Sequence, residues 1–234
     1  MCSLHPEIAV FYMKSKQSFK NASGFGLGAS HLRWSLDHLA GGDADLADHV
    51  QQWGYPPERR SPGGFAALLR IVIGQQLSVK AAATIAARVE ALMPDGLTPA
   101  GFLNADEASL RAAGLSGAKV IYGRGLARAV YDGAFDPAAL AVMPDDKVTA
   151  EITALKGFGI WSARMYLMFS LGRPDIWPAD DLGVREGLRR LRRLEARPSI
   201  KEAEAMGAGW APYRSSVALF CWHILNNAPL KAGD

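Results

Sequence analysis

The sequence predicts an all-α fold, and three observations support that prediction. The apolar residues within Phe65–Ile73 recur at the i, i+3, i+4, i+7 spacing of a buried helix face. Signals for helix starts recur along the chain, among them the N-cap pair Thr98-Pro99 and the capping box of Ser199 with Glu202. No segment of the sequence alternates apolar and polar residues over the length of a strand. The 234 residues suffice for one or two compact domains with a buried core.

The individual elements follow from the same signals. Residues 1–30 show little pattern and are predicted to be a poorly ordered tail. His31–His49 is predicted to form two short helices separated at Gly41-Gly42. In the next part of the chain, helices are predicted over Phe65–Ile73, over Val79–Leu92 with Ser78 as its cap, and after the cap Thr98. Two more are predicted before residue 132: one with a capping box of Asn104 and Glu107 that ends before Gly114, and one that follows the glycine-flanked turn Gly114–Lys119 and ends at about Tyr131. The last four are one capped by Asp145 that ends at about Ala154, one after Gly159, one from Ser199 to about Gly207, and one that begins near Pro212.

Composition and charge restrict the function only loosely. Hydrophobic residues make up 49% and charged residues 21% of the chain, as in ordinary soluble globular proteins. The net charge of +3 permits nucleic acid as a partner without requiring it. Late in the chain, six arginines are offset by only two glutamates, so that a solvated helix face and a phosphate-contacting surface both stay open as interpretations. These arginines are Arg185, Arg189, Arg190, Arg192, Arg193 and Arg197.

Cysteine usage and hydropathy exclude several classes of protein. The two cysteines, Cys2 and Cys221, lie far apart and form no CxxC, which argues against a disulfide framework, a structural zinc site and an iron–sulfur cluster. No run approaches the roughly 18 to 20 apolar residues that span a bilayer, and the apolar start, Ile8–Met13, is too short for a signal peptide. We therefore expect a cytoplasmic protein with no membrane partner.

The stretch Leu155–Arg185 carries the main functional signal. It begins with a tight turn, Gly157-Phe158-Gly159, continues into an apolar helix and ends in the paired acids Asp180 and Asp181. Glycines at a turn let consecutive backbone amides approach an anion, and a helix N-terminus favours the same charge. Because many helix pairs also join through glycine, the turn alone is a weak signal. The acids must act on something other than that anion.

The combination of motifs resembles the helix-hairpin-helix DNA glycosylases. The segment 145–170 is similar to their helix-hairpin-helix motif, and the family places an essential aspartate at this distance after the hairpin. Further motifs resemble the alkylation-repair branch, the 3-methyladenine DNA glycosylases, and the resemblance covers roughly residues 62–227. The residues that carry it are Leu155, Gly157, Phe158, Gly159, Ser162 and Ala163 in the hairpin, Trp161 after it, Asp181-Leu182-Gly183-Val184-Arg185, the upstream Ile73–Ser78, and Trp210–Ser215 with Trp222.

This resemblance implies a role for each residue of the pocket. Asp181 is the catalytic carboxylate, although an aspartate here also suits a helix cap, and Asp180 is a neighbour that tunes the pocket. Trp161 and Trp222 are expected to form the walls that hold the base, with core packing as the alternative for both. Met165 stands where some members carry a tyrosine, and a methionine can still contact a ring.

The position of Trp161 decides the expected reaction. Relatives with strand-cleaving lyase activity carry a lysine there as a Schiff-base nucleophile, and tryptophan cannot take that role. The resemblance therefore implies a monofunctional enzyme that uses water and leaves an abasic site.

A second set of residues is expected to bind the DNA. Gly157, Phe158, Gly159 and Ser162 of the hairpin are assigned to phosphates, as are Lys119, Arg214 and Ser215. Gln76, or alternatively Leu77, would fill the gap left by the flipped nucleotide, unless Gln76 is only a solvent-facing residue at a helix end. The resemblance also suggests a monovalent cation at hairpin carbonyls, with no metal held by side chains and no other cofactor.

The architecture and function expected from these roles can be stated together. Residues 66–170 form one helical subdomain, residues 31–65 with 171–230 form the other, and the active-site cleft lies between them. The expected protein is a monomeric, monofunctional glycosylase for alkylated purines in double-stranded DNA, of the 3-methyladenine and 7-methylguanine type. A non-catalytic module that binds damaged or bent DNA is the alternative from another class, and a glycosylase for other damaged purines is a closer one.

Overall fold

The computed structural model describes residues 25–227, and these form twelve α-helices and two short 3-10 turns without any strand. The predicted all-α fold is confirmed. The predicted tail is wrong in part, because Leu27 is fully buried and the first helix begins at Ala29. The rest of that predicted tail, residues 1–24, lies outside the described residues, as does the end of the chain after Asn227.

The helices are numbered here in chain order. They are α1 Ala29–Ala40, α2 Ala44–Trp53, α3 Phe65–Gly74, α4 Val79–Glu90, α5 Pro99–Asn104, α6 Glu107–Ala112, α7 Gly117–Tyr131, α8 Asp145–Thr153, α9 Ile160–Phe169, α10 Leu182–Leu191, α11 Ile200–Gly207 and α12 Arg214–Asn227. The 3-10 turns cover Ala139–Val142 and Ala208–Trp210.

Most predicted caps are present. Ser78 accepts a hydrogen bond from the amide of Ala81, and Thr98 caps α5 through the amide of Gly101. Ser199 and Glu202 form a complete capping box at the start of α11. These caps were predictable because each involves residues only three positions apart.

Two predicted helix caps are wrong. Asp106 caps α6 in place of Asn104, which still belongs to α5. Asp145 is the first residue of α8 instead of its cap, and Pro144 precedes it with no side-chain bond. The last helix begins at Arg214, two residues after the predicted start near Pro212.

The first group of packed helices is built on α10 and α12, with α1, α2 and α11 around them. The two central helices approach closely at Gly187, where a β-carbon would lie 2.5 Å from the carbonyl oxygen of Cys221. An alanine there would therefore push α10 away from α12. The close packing fixes Asp181, at the start of α10, relative to α12.

The second group consists of the helices in the middle of the chain. Helix α3 packs against α4, α7 and α9, while α7 also packs against α5 and α6, and α9 packs against α8. The predicted subdomain limits, 65/66 and 170/171, fall within a residue or two of the start of α3 and the end of α9. The hairpin between α8 and α9 belongs to this second group.

An ion-pair network ties α2 to the end of α10 within the first group. Asp43 caps α2 and accepts hydrogen bonds from both terminal nitrogens of Arg192, at 2.6 and 2.7 Å, and from the indole of Trp210 at 3.0 Å. Burial alone would raise the pKa of Asp43, but these hydrogen bonds outweigh it and hold that pKa below its ordinary value.

The described helices include none long and apolar enough to cross a membrane.

Candidate active site

Asp181 lies at the N-terminus of α10 and accepts three hydrogen bonds. Its Oδ1 accepts from the amide of Val184 and from the indole of Trp222, both at 2.9 Å, and its Oδ2 accepts from the indole of Trp161 at 2.8 Å. The same carboxylate therefore caps α10 and binds the indoles of Trp161 and Trp222. A carboxylate has about four acceptor positions, so that one on Oδ2 is left open.

Trp161 and Trp222 are oriented by this carboxylate. Trp161 stands in the first turn of α9, directly after the hairpin, whereas Trp222 comes from α12, and both side chains are half-buried against the core. Because an indole N–H lies in the plane of its ring, the bond to Asp181 leaves the ring faces unoccupied by the carboxylate. Trp222 also packs against the ring of Phe169, with 5.7 Å between ring centroids.

Asp180 is placed differently from its neighbour. Its carboxylate accepts from Arg164 of α9 at 2.6 Å, and the same guanidinium bonds Glu204 of α11 at 3.2 Å. The sequence predicted that Asp180 tunes the pocket, and the structure shows its charge compensated by Arg164. Among residues 25–227, no cation comes within ion-pair distance of Asp181, so its negative charge is the uncompensated one of the pair. Arg164, three residues after Trp161, was missed from the sequence.

Met165 lies one helical turn after Trp161 in the hydrophobic core. Only 5% of its surface is exposed. Its contact with a bound base stays a prediction.

The hairpin is shaped by Gly157, which has a φ of +89°. A β-carbon at this position would collide with the ring of Tyr122 on α7, so only glycine fits. Gly159 precedes α9 without any side-chain cap, which leaves the first amides of that helix for an anion. The side chains of Phe158 and Ser162 are buried, which is compatible with the expected use of backbone amides at this turn. The phosphate contact itself stays a prediction.

The loop after α3 holds the residues predicted to enter the duplex. Gln76 is exposed and has a φ of +57°, which is rare for a residue other than glycine. Leu77 is 40% exposed. The preceding Gln75 donates its side-chain amide to the carbonyl oxygen of Gly157 at 2.8 Å and to the hydroxyl of Ser162 at 3.2 Å. Gln75 thus joins this loop to the hairpin, a role that the sequence analysis missed although it adjoins Gln76.

Residues 69–212 match the family model described as HhH-GPD superfamily base excision DNA repair protein. The chain belongs to this family. DNA-3-methyladenine glycosylase 1 of Schizosaccharomyces pombe is 33% identical over 197 residues, which are 79% of this chain and 84% of that protein.

Solved structures agree with this assignment. The structure of Schizosaccharomyces pombe 3-methyladenine DNA glycosylase (Mag1) in complex with abasic DNA has a TM-score of 0.80 at 30% identity, covering 84% of this chain and 98% of that one. A DNA-3-methyladenine glycosidase from Bacillus halodurans has a TM-score of 0.69 at 31% identity, covering 82% and 89%. The resemblance found in the sequence is therefore confirmed at the level of fold and family.

Lys119 and Arg214, which were assigned to phosphates, have intramolecular partners in this HhH-GPD protein. Lys119 donates its ammonium to the carbonyl oxygens of Ile73 and Gln75, each at 2.8 Å, and so caps the end of α3. The guanidinium of Arg214 forms two hydrogen bonds with the carboxylate of Asp175, at 2.7 and 2.9 Å. These bonds show that both residues hold parts of the fold, and a contact of either one with a DNA phosphate stays a prediction.

Ser215 is the clearest correction. It is fully buried, donates to the carbonyl oxygen of Arg173 at 2.7 Å and accepts from the amide of Ile176 at 2.8 Å. A hydroxyl in this position cannot reach a phosphate. The motif Trp210–Ser215 therefore fixes the loop before Asp180 and Asp181, which is a structural role.

Five of the six arginines on and after α10 have intramolecular partners, which favours the structural interpretation left open by the sequence. Arg185 bonds the carbonyl of Pro198, Arg189 and Arg190 pair with Glu186, Arg192 pairs with Asp43 and Asp45, and Arg193 pairs with Asp48.

The predicted monovalent cation would have to be held by the backbone. In the described part of the chain, no three His, Cys, Asp or Glu side chains are grouped as metal ligands. The hairpin carbonyl of Gly157 already accepts from Gln75. A cation at the remaining carbonyls stays a prediction.

Proposed function

We propose that this protein is a monofunctional DNA glycosylase that excises alkylated purines, of the 3-methyladenine and 7-methylguanine type, in base excision repair. The observation that carries the proposal is the convergence of the indole N–H groups of Trp161 and Trp222 on Asp181. The similarity to proteins named DNA-3-methyladenine glycosylase supports it. A monomer acting in the cytoplasm remains our expectation from the sequence.

The two indoles suit a cationic base. Methylation at N3 of adenine or N7 of guanine places a positive charge on the ring and weakens the bond to the sugar, so that the leaving group needs no strong acid. A cation over an indole face gains about 1 to 2 kcal/mol when it is shielded from water. Trp161 and Trp222 would therefore hold a damaged base better than a neutral normal one.

Asp181 would act on the sugar. As the base departs, positive charge develops on the sugar ring, and an adjacent carboxylate stabilises that charge. The three N–H donors hold the Asp181 carboxylate in place at the start of α10. The open acceptor position on Oδ2 would receive a proton of the attacking water.

The hairpin and the loop after α3 would deliver the nucleotide to these residues. A target base inside a duplex cannot reach the pocket and must be flipped out. Uncapped amides at the start of α9 would bind a phosphate, and exposed Gln76 would fill the space left in the duplex.

The absence of lyase activity belongs to the same proposal. Trp161 occupies the position of a lyase lysine. Lys119 is bound to two carbonyl oxygens, and Lys156 is exposed on the hairpin. Water is then the nucleophile, and an abasic site is the product.

Release of free bases from methylated DNA tests the proposal. We expect release of 3-methyladenine and 7-methylguanine by the unaltered protein and a loss of at least about 100-fold in rate for Asp181→Asn, with DNA binding retained. Asp180→Asn is the matched control, since it removes an acid one residue away that Arg164 already neutralises. Turnover by Asp181→Asn at the normal rate would refute the assignment.

Two other outcomes identify the alternatives. Binding to DNA that contains an abasic-site analogue, without release of any base, would indicate a non-catalytic module. Release confined to deaminated or etheno-adducted purines in a lesion panel would indicate a glycosylase for other damaged purines.

A further inference from the structure

The connection between α2 and α3, residues 54–64, lies along one side of the site. At its start, Nε2 of His223 donates to the carbonyl oxygen of Trp53 at 2.9 Å, and His223 directly follows Trp222. Near its end, the amide of Ser61 donates to the carbonyl oxygen of Phe169 at 2.8 Å. The connection is therefore anchored to both helices that supply the Trp222–Phe169 ring pair.

Three consecutive charged residues of this connection face different partners. Glu58 accepts a hydrogen bond from the amide of Ala29, and Arg60 places its guanidinium 5.3 Å from the ring centroid of Phe25. Arg59 places its guanidinium over Phe169, with 5.6 Å from Cζ to the ring centroid. Phe169 packs against Trp222, and the indole of Trp222 bonds Asp181. The rings of Phe169 and Trp222 therefore lie between the charge of Arg59 and Asp181.

The charge of Arg59 has no counterpart in the fold. Over the described ranges of the chain, no carboxylate and no carbonyl oxygen bonds this guanidinium, whereas arginines such as Arg164, Arg192 and Arg214 all have carboxylate partners. The side chain is partly buried, and burial lowers the pKa of Arg59. Removing a cation from water without a partner costs free energy. Packing on one ring compensates only part of that cost, so the folded state gains little from Arg59.

We propose that Arg59 binds a phosphate of the DNA strand beside the flipped nucleotide, at the edge of the pocket wall formed by Phe169 and Trp222. A guanidinium is suited to phosphate because its N–H groups match two phosphate oxygens. The proposal rests on the proposed function in one respect: an alkylated purine is a cation and repels Arg59, which leaves the phosphodiester as the group of the nucleotide that attracts it.

Binding measurements as a function of salt test this assignment. The probe is a duplex with a tetrahydrofuran abasic-site analogue, titrated with the protein and with Arg59→Met at several KCl concentrations. We expect Arg59→Met to bind about tenfold more weakly or worse and to lower the slope of log K against log salt by about 1. Arg60→Met is the matched control, since it removes the same charge from the adjacent residue, which faces Phe25; its affinity and slope should stay close to those of the unaltered protein.

Stability separates this role from a structural one. Removal of a partly buried, unpaired charge should leave the melting temperature of Arg59→Met unchanged or raise it, while a residue that holds the fold would lower it. Arg59→Lys keeps the charge without the planar fork and should restore the salt slope and part of the affinity.

The outcomes that overturn the proposal are specific. Unchanged affinity and slope in Arg59→Met would exclude a phosphate contact. A second outcome would place Arg59 on the base instead. In that case, Arg59→Met keeps its DNA affinity, while its excision rates for 7-methylguanine and for neutral hypoxanthine change in opposite directions. If the unaltered protein binds the abasic analogue but releases no base, the proposed glycosylase function fails while the test of Arg59 still gives an answer.

Discussion

The indole of Trp161 donates to Oδ2 of Asp181 over 2.8 Å, and this bond joins the two groups of packed helices. Trp161 belongs to α9 in the middle group, whereas Asp181 begins α10 in the other group. The position of the carboxylate therefore depends on how these groups meet, as well as on its own helix. Trp222 approaches the same carboxylate from α12 within the first group.

Replacement of Trp161 by phenylalanine tests what this bond contributes. Trp161→Phe keeps an aromatic face for the base but removes the N–H, the only donor to Oδ2 in the described structure. We expect the rate of base release to fall about tenfold, the equivalent of one lost hydrogen bond to a charged group, with DNA affinity unchanged. Single-turnover kinetics on methylated DNA measure the rate.

Trp222→Phe is the control for that experiment. Oδ1 of Asp181 keeps the amide of Val184 as a donor when the indole of Trp222 is removed. The rate should therefore fall less than in Trp161→Phe. Equal losses in the two variants would show that the indoles act only by stacking.

Borohydride trapping tests the monofunctional reaction. A lyase forms a Schiff base between a lysine and the sugar, and borohydride reduces it to a stable covalent complex. Since tryptophan occupies position 161 and Lys119 is bound to the carbonyls of Ile73 and Gln75, we expect no trapped complex during base release. A complex that disappears in Lys156→Gln would contradict this expectation.

The central residues of the site could be predicted because their motifs are local. Gly157, Trp161 and Asp181 fall within one continuous stretch, where sequence spacing alone places a hairpin, a helix and a helix start. The partners of these residues were harder to predict. Trp222 binds Asp181 only because α12 packs along α10, and the same motif spacing is compatible with Trp222 in the core.

The structural roles that the sequence did not predict belong to residues whose partners are distant in sequence. The sequence assigned Lys119 and Ser215 only to phosphates. Packing instead places Lys119 under the end of α3 and Ser215 against the loop at Arg173. Neither partner is visible in the local sequence, since tertiary packing alone sets these distances. Arg59 escaped attention for the same reason.

Substitution of Lys119 tests its role in placing the loop that carries Gln76. Lys119→Met removes two hydrogen bonds to carbonyls, one of them on Gln75, and should lower stability by about 1 to 3 kcal/mol. The rate of base release from a fully paired duplex should fall. A mismatch opposite the lesion should restore part of that rate, because a mispaired damaged base flips out of the duplex more easily. Lys147→Met, at an exposed position of α8, is the control. An equal loss with and without the mismatch would exclude a role in flipping.

Stability should decline in mild acid because of His31. Burial lowers the pKa of His31 below its ordinary value of 6.5, so the unfolded chain binds a proton more readily than the folded one. The contribution of neutral His31 to stability is complete above about pH 6.5 and is lost as the pH falls through the lower pKa of the folded state. The melting temperature should be flat near pH 7 to 8 and fall below about pH 6.5. His31→Phe should reduce that fall, while His38→Phe, an exposed position on the same helix, should not.

The network around Asp43 should dominate the attachment of α2 to α10. Asp43 is 12% exposed and bonds Arg192, whereas the pair of Asp48 and Arg193 is 62% and 65% exposed. Asp43→Ala leaves the guanidinium of Arg192 and the indole of Trp210 without that partner and should cost about 3 kcal/mol or more. Asp48→Ala removes a solvated pair and should cost less than about 1 kcal/mol. Urea denaturation measures both.

Similar costs for the two variants would mean that Asp45 takes over the guanidinium of Arg192 when Asp43 is absent, since Asp45 already bonds that group at 3.0 Å. In that case, the double variant of Asp43 and Asp45 should show the full loss.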